Sequence, residues 1–153
     1  MPGRKKVLVV ANRTACGPGL VAAVRERAAG DDCEFHLVVP AAAHGLHKVV
    51  DPEDSGRDES RRALKDAVPL LSEAAGRPVT AEIGDAEPLA AIQDAIHLQG
   101  CDEIIISTLP RKVSKWLKLD LVSKARGLGL PVTHVEAADE PAPQPPVGAS
   151  ASS

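Results

Sequence analysis

Aromatic side chains are almost missing from this chain. Tyrosine is absent, and Phe35 and Trp116 stand alone among 153 residues. Proteins that grip single strands of nucleic acid stack bases on several aromatic rings, so that class is disfavoured. The core has to be built from Val, Leu, Ile and Ala. Cysteine is also scarce: Cys16, Cys33 and Cys101 are widely spaced, with no Cys-x-x-Cys pair. That spacing argues against a disulfide framework or a zinc site. All three cysteines read as small apolar core residues in a reducing compartment. Long apolar runs are missing too. Arg4-Lys5-Lys6 is followed only by Val7 to Ala11 before Asn12-Arg13, which is too short for a signal peptide or a membrane span. A cytoplasmic protein is expected. Charge of one sign is not in excess: the net charge is -3, and no overall field favours nucleic acid or an anionic membrane.

The chain has the length and the apolar content, 44%, of a domain with a real core. Val7 to Ala11 is a continuous apolar run, as in a central parallel strand covered on both faces. Leu20, Val21, Val24 and Ala28 then recur at helical spacing, and Gly30 is a natural stop. Glu34 to Val39 reads as a second strand ended by Pro40. Ala41 to Ser55 reads as a long loop. Leu64, Ala67, Val68, Leu71 and Ala75 mark the next helix, with a kink or break predicted at Pro69. Val79 to Ile83 alternates, which places a third strand near the sheet edge. Asp85 is the predicted N-cap of a helix whose inward face is Leu89, Ile92, Ala95 and Ile96. Glu103 to Ser107 is a fourth strand. A helix within Ser114 to Arg126, re-started at Asp120, leads to a fifth strand at Val132 to Val135. Residues 1–136 form the expected domain. Residues 137–153 carry Pro141, Pro143, Pro145 and Pro146 among Ala, Ser and acid, and read as a disordered tail.

Strands alternating with helices predict an α/β domain: a doubly wound, five-stranded parallel sheet with helices on both faces. Ligands of such sheets bind beyond the carboxyl ends of the strands, where strand order reverses. The loops after strand one (Asn12 to Gly17), strand two (Pro40 onward) and strand four (Thr108 to Lys112) would then share one crevice. Hydroxyls of Ser107, Thr108 and Ser114 and cations of Arg111, Lys112 and Lys115 are suited to phosphate. The alternative is a solvated basic face on a surface helix.

The order of elements from Lys5 to Val135 resembles the universal stress protein family, of the adenine nucleotide alpha hydrolase-like superfamily. Gly84-Asp85 with Pro88 matches the family's turn after the third strand, and Leu130-Pro131-Val132 its closing Pro-Val strand. Asn12 stands where an Asp is usual. The family's ATP-binding members carry Gly-x-x-Gly, nine residues, then Gly-Ser or Gly-Thr; here those glycine places hold Ser107, Pro110 and Asp120. Pro110 has no N–H to donate and Asp120 brings an anion, so the phosphate cradle departs from the pattern.

The resemblance implies strand order 3-2-1-4-5 and a stress-response or regulatory role. It also implies a homodimer paired near Val132 to Val135. It implies an adenine nucleotide such as ATP at the three loops: Ala11, Asn12, Arg13 and Thr14 after strand one, Val39 and Pro40 at strand two, and Ser107, Thr108, Pro110, Arg111 and Lys112 after strand four, with Leu121. A second reading is a protein-interaction module on the same fold, without a nucleotide.

Other motifs read as structural. Gly17-Pro18-Gly19-Leu20-Val21-Ala22 matches Gly-x-Gly-x-x-Ala, but Asn12 to Cys16 separate it from the strand and no acid ends strand two. It is read as a turn into a helix. His44 and His47 with Asp51, Glu53 and Asp54 have no rigid frame for a metal. Cys16 at a helix N-terminus is placed for a lowered pKa, yet is read as structural. No nucleophile elbow, P-loop or paired-carboxylate set is present, so an enzyme ranks last.

Overall fold

The computed structural model describes residues 4–11, 14–41, 52–109, 115–118 and 120–137. In chain order the elements are β1 (Lys5–Val10), α1 (Pro18–Gly30), β2 (Cys33–Pro40), α2 (Pro52–Ala75), β3 (Thr80–Gly84), α3 (Pro88–Gln99), β4 (Glu103–Thr108), α4 (Lys115–Lys118), α5 (Leu121–Arg126) and β5 (Val132–Glu136). The five strands form one parallel sheet in the order β3-β2-β1-β4-β5. This is the expected topology.

The alternation of side chains along a strand divides the apolar residues into two cores. Val7 and Val9 of β1, Phe35, Leu37 and Val39 of β2 and Ile105 of β4 pack with Leu20 and Val24 of α1 and Ala67 and Leu71 of α2. Leu8, Val10, Val38, Ile104 and Ile106 face the other way, onto Ala91, Ile92 and Ala95 of α3 and Leu121, Val122 and Ala125 of α5. The central strands are buried on both faces, which explains their unbroken apolar runs. β3 alternates because it is an edge strand, as its pattern predicts.

Several local readings are corrected. Of the kink or break expected at Pro69, the break is absent: α2 runs from Pro52 to Ala75. Lys65 and Pro69 both lie on the exposed face. The Lys65 carbonyl that loses its N–H partner therefore has water to turn to. Since α2 begins at Pro52, the loop after β2 is shorter than Ala41 to Ser55. Asp85 is not the N-cap of α3. Glu87 is: its Oε1 accepts from Ala90 N at 2.9 Å. Pro88 opens the helix, which puts the cap on the residue before it. Asp85 instead accepts from Glu87 N at 2.9 Å, shaping the turn one step earlier. The predicted restart at Asp120 is present. Asp120 has φ 60° and ψ 36°, and its left-handed backbone divides α4 from α5.

Gly84 shows why α3 can lie so close to the sheet. A Cβ built there would sit 2.9 Å from Ala91 Cβ and 2.9 Å from Val38 Cγ1. Only hydrogen fits between β3 and α3 at that point. Among the described residues, no helix is long and apolar enough to cross a membrane.

Candidate functional site

Parallel strands deliver their carboxyl ends to one rim. β1 and β4 are neighbours, with Val10 opposite Ile106, so the residues that follow them meet. Thr14 Oγ1 lies 2.6 Å from Ser107 Oγ, and both side chains are buried. This hydroxyl pair joins the turn before α1 to the end of β4. Ala11 is fully buried and its N–H donates to Val38 O at 3.3 Å, tying the exit of β1 to β2. Val39 is equally buried. Ala11 and Val39 therefore offer backbone at the rim, and their side chains belong to the core beneath it.

Sequence reasoning missed two residues of this rim. Ser60 of α2 is fully buried and donates from Oγ to Pro40 O at 3.3 Å, holding the end of β2. The signal was present: Ser60, Leu64, Ala67 and Leu71 follow helical spacing, so a serine occupies an inward position. His134 is the second. Its Nε2 lies 2.9 Å from Thr108 Oγ1, and Ala137 N donates to Thr108 O at 2.9 Å. Thr108 is thus fastened to β5 on both counts.

Ala11, Thr14, Val39, Pro40, Ser107 and Thr108 are brought to the carboxyl end of the sheet. Leu121 is buried in the core beneath α5. Asn12, Arg13, Pro110, Arg111, Lys112 and Ser114 lie outside the described residues, as do His44, His47, Asp51 and the tail beyond Ala137. Among the described residues, no group of three or more His, Cys, Asp and Glu is placed to hold a metal ion.

The cysteines are corrected in two respects. Cys16 is exposed and Cys101 half-buried, so only Cys33 is a fully buried core residue. The Cys16 thiol is also not activated. Partial burial pushes its pKa up, and the carboxylate of Asp66 adds to the rise.

A search of solved structures decides the fold. A universal stress protein family structure from Burkholderia pseudomallei superposes with a TM-score of 0.63 over 88% of this chain and 98% of that one, at 19% identity.

The fold is that of the universal stress proteins.

The universal stress protein of Archaeoglobus fulgidus in complex with dAMP matches with a TM-score of 0.57 and 18% identity, covering 88% of this chain and 99% of that one. A universal stress protein family structure from Arabidopsis thaliana with AMP bound gives 0.55 and 13%, covering 89% and 94%. By sequence, no family description and no curated protein matches the chain. The likeness to universal stress proteins is thus carried by the backbone. Asp120 is the one described non-glycine residue with positive φ. The backbone there has the left-handed form that glycine adopts freely, while the side chain has become an acid.

Among the described residues, a groove of about 220 Å³ opens at the opposite end of the sheet, between β1, β2, β3 and the end of α3. Lys6, Glu34, His36, Thr80 and Gln99 are among its polar lining residues. It is separate from the carboxyl rim.

Proposed function

We propose that this chain is a regulatory or stress-response protein of universal stress protein type, acting in the cytoplasm, that binds an adenine nucleotide at the carboxyl rim of its sheet without turning it over. One observation carries the reading: the buried Thr14–Ser107 hydroxyl pair joins the exits of β1 and β4 at the rim where such sheets take ligands. Structures of the same fold hold dAMP and AMP. The adenine would lie against the backbone of Ala11 and Val39, and the phosphates near Thr108 to Lys112. Asn12, Arg13, Thr14, Pro40, Ser107 and Leu121 complete the proposed set. Isothermal titration calorimetry with AMP and with ATP tests this. Saturable heat at or below millimolar ligand supports it, and no heat at about 1 mM contradicts it. Asp120→Gly removes a carboxylate from the motif's last glycine place. It is expected to tighten ATP about three- to tenfold and AMP less, because the effect scales with phosphate charge.

A second reading, an interaction module that has lost the nucleotide, draws on the replaced glycine places at Ser107, Pro110 and Asp120. In either case the outer edge of β5 favours homodimer formation through Val132 to Val135, because an edge strand needs a cover.

A further inference from the structure

Four polar residues are buried among the described residues: Thr14, Ser60, Ser107 and Thr108. A buried hydroxyl needs a partner for its proton. Ser60 donates to Pro40 O at 3.3 Å. Thr108 Oγ1 lies 2.9 Å from His134 Nε2, which can accept its proton. Thr14 and Ser107 differ from these, because each is the other's partner.

Two hydroxyls carry two protons, and their one contact of 2.6 Å uses one of them. If Thr14 donates, the proton of Ser107 is left over. If Ser107 donates, the proton of Thr14 is left over. Either way the pair keeps one O–H to give, and neither side chain makes a further hydrogen bond among the described residues. The pair is nonetheless enclosed: Thr14 is 8% exposed and Ser107 2%. A donor so placed is costly to leave without an acceptor.

The pair lies at the end of the sheet where a ligand would reach it. Ser107 is the last residue but one of β4. Thr14 begins the turn into α1, which Gly17 N closes by donating to Thr14 O at 2.9 Å. α1 then starts with no side-chain cap and no acid in its first turn, so nothing of its own cancels the positive end of the helix. The Asp66 carboxylate of α2, which acts on the exposed Cys16 thiol, opposes that field. The helix end would therefore not hold an anion by itself, and the hydroxyl pair has to supply the contact.

We propose that the Thr14–Ser107 pair is a one-proton donor to the phosphate nearest the sugar, so that the ligand of the rim is a nucleotide and not a nucleoside. This rests on nucleotide binding at the rim and assigns the pair a task within it. A phosphate oxygen suits the pair because it accepts the spare proton whichever hydroxyl offers it. A bond to a charged acceptor is also stronger than one to a neutral group. The hydroxyl that donates outward accepts from its partner, which strengthens it as a donor.

Isothermal titration calorimetry on the full chain, with AMP and with adenosine, tests this. The unaltered chain is expected to bind AMP the more tightly. The double variant Thr14→Val, Ser107→Ala removes both protons and nearly keeps the shape, an exchange that disturbs folding little. It should lose about tenfold in affinity for AMP and less than about twofold for adenosine. Thr14→Ser keeps the hydroxyl and should bind AMP as the unaltered chain does. No heat with AMP in the unaltered chain would overturn nucleotide binding and the pair's task together. AMP bound no more tightly than adenosine would overturn the task alone, and so would a double variant that loses nothing or loses both ligands equally. The comparison of the two ligands on the unaltered chain needs no variant, so it decides even where the double variant fails to fold.

Discussion

Arg27 leaves α1 and forks onto both carboxylate oxygens of Glu103 at the start of β4, each contact 2.8 Å long. Its third nitrogen reaches Asp31 at 2.7 Å. Hydrogen bonds to these two acids, Glu103 first, hold the guanidinium pKa well above its usual value. Glu103 is the more enclosed partner, with its side chain 12% exposed. Truncating Arg27 would leave that carboxylate half-desolvated and alone. Arg27→Met is therefore expected to cost about 1–3 kcal/mol in urea unfolding; an unchanged midpoint would contradict this. Asp31 adds a pH signature. The hydrogen bond from Arg27 holds its carboxyl below the usual carboxylate range. Its folded value is depressed, so its contribution is present above the unfolded value near 3.9 and is lost as pH falls through the lower folded one. The acid limb of the stability curve should become shallower in Arg27→Met.

Among the elements, α3 and the strands it covers depend on one missing methyl group. Gly84→Ala inserts a carbon 2.9 Å from both Ala91 and Val38. Overpacking of that kind costs about 1–3 kcal/mol, more than the backbone gains by losing a glycine. A thermal midpoint below that of the unaltered chain is expected, and an equal or higher one would refute the close-packing account. The same scale shows what could be read without coordinates. Val7 to Ala11 and the Ile104 to Ile106 centre of Glu103 to Ser107 announced buried strands because nothing in those runs needs water. Their neighbours in the sheet followed from the alternation of strand and helix. Asp85 misled because two acids precede Pro88, and the proline, not the better capping residue, sets the start of α3. Pro69 misled because the cost of a helix proline depends on where the freed carbonyl points, which a sequence does not state. Cys16 misled because a helix N-terminus was weighed without the partial burial of the thiol and without Asp66, fifty positions along the chain. At the rim, Thr14 and Ser107 were legible as residues, but their contact joins positions 93 apart.

The whole molecule has two unlike ends. The amino ends of the strands carry ion pairs: Arg4 and Arg77 both hold Asp32, and Arg27 holds Glu103. The carboxyl ends carry buried hydroxyls, Thr14, Ser107 and Thr108, with no ion pair among these three. The two cores between them are apolar and give no reason to choose one end for a ligand. Topology gives the reason, since connections from neighbouring strands diverge at the carboxyl rim. The central claim is that the nucleotide goes there and not to the groove at the other end. Chemical-shift mapping of the labelled full chain with AMP tests it most directly. The account predicts that the amides of Ala11, Thr14, Val39, Ser107 and Thr108 shift together and saturably, while those of Lys6, Glu34, Thr80 and Gln99 stay in place. Shifts centred on the groove residues, or no shifts at all, would contradict it.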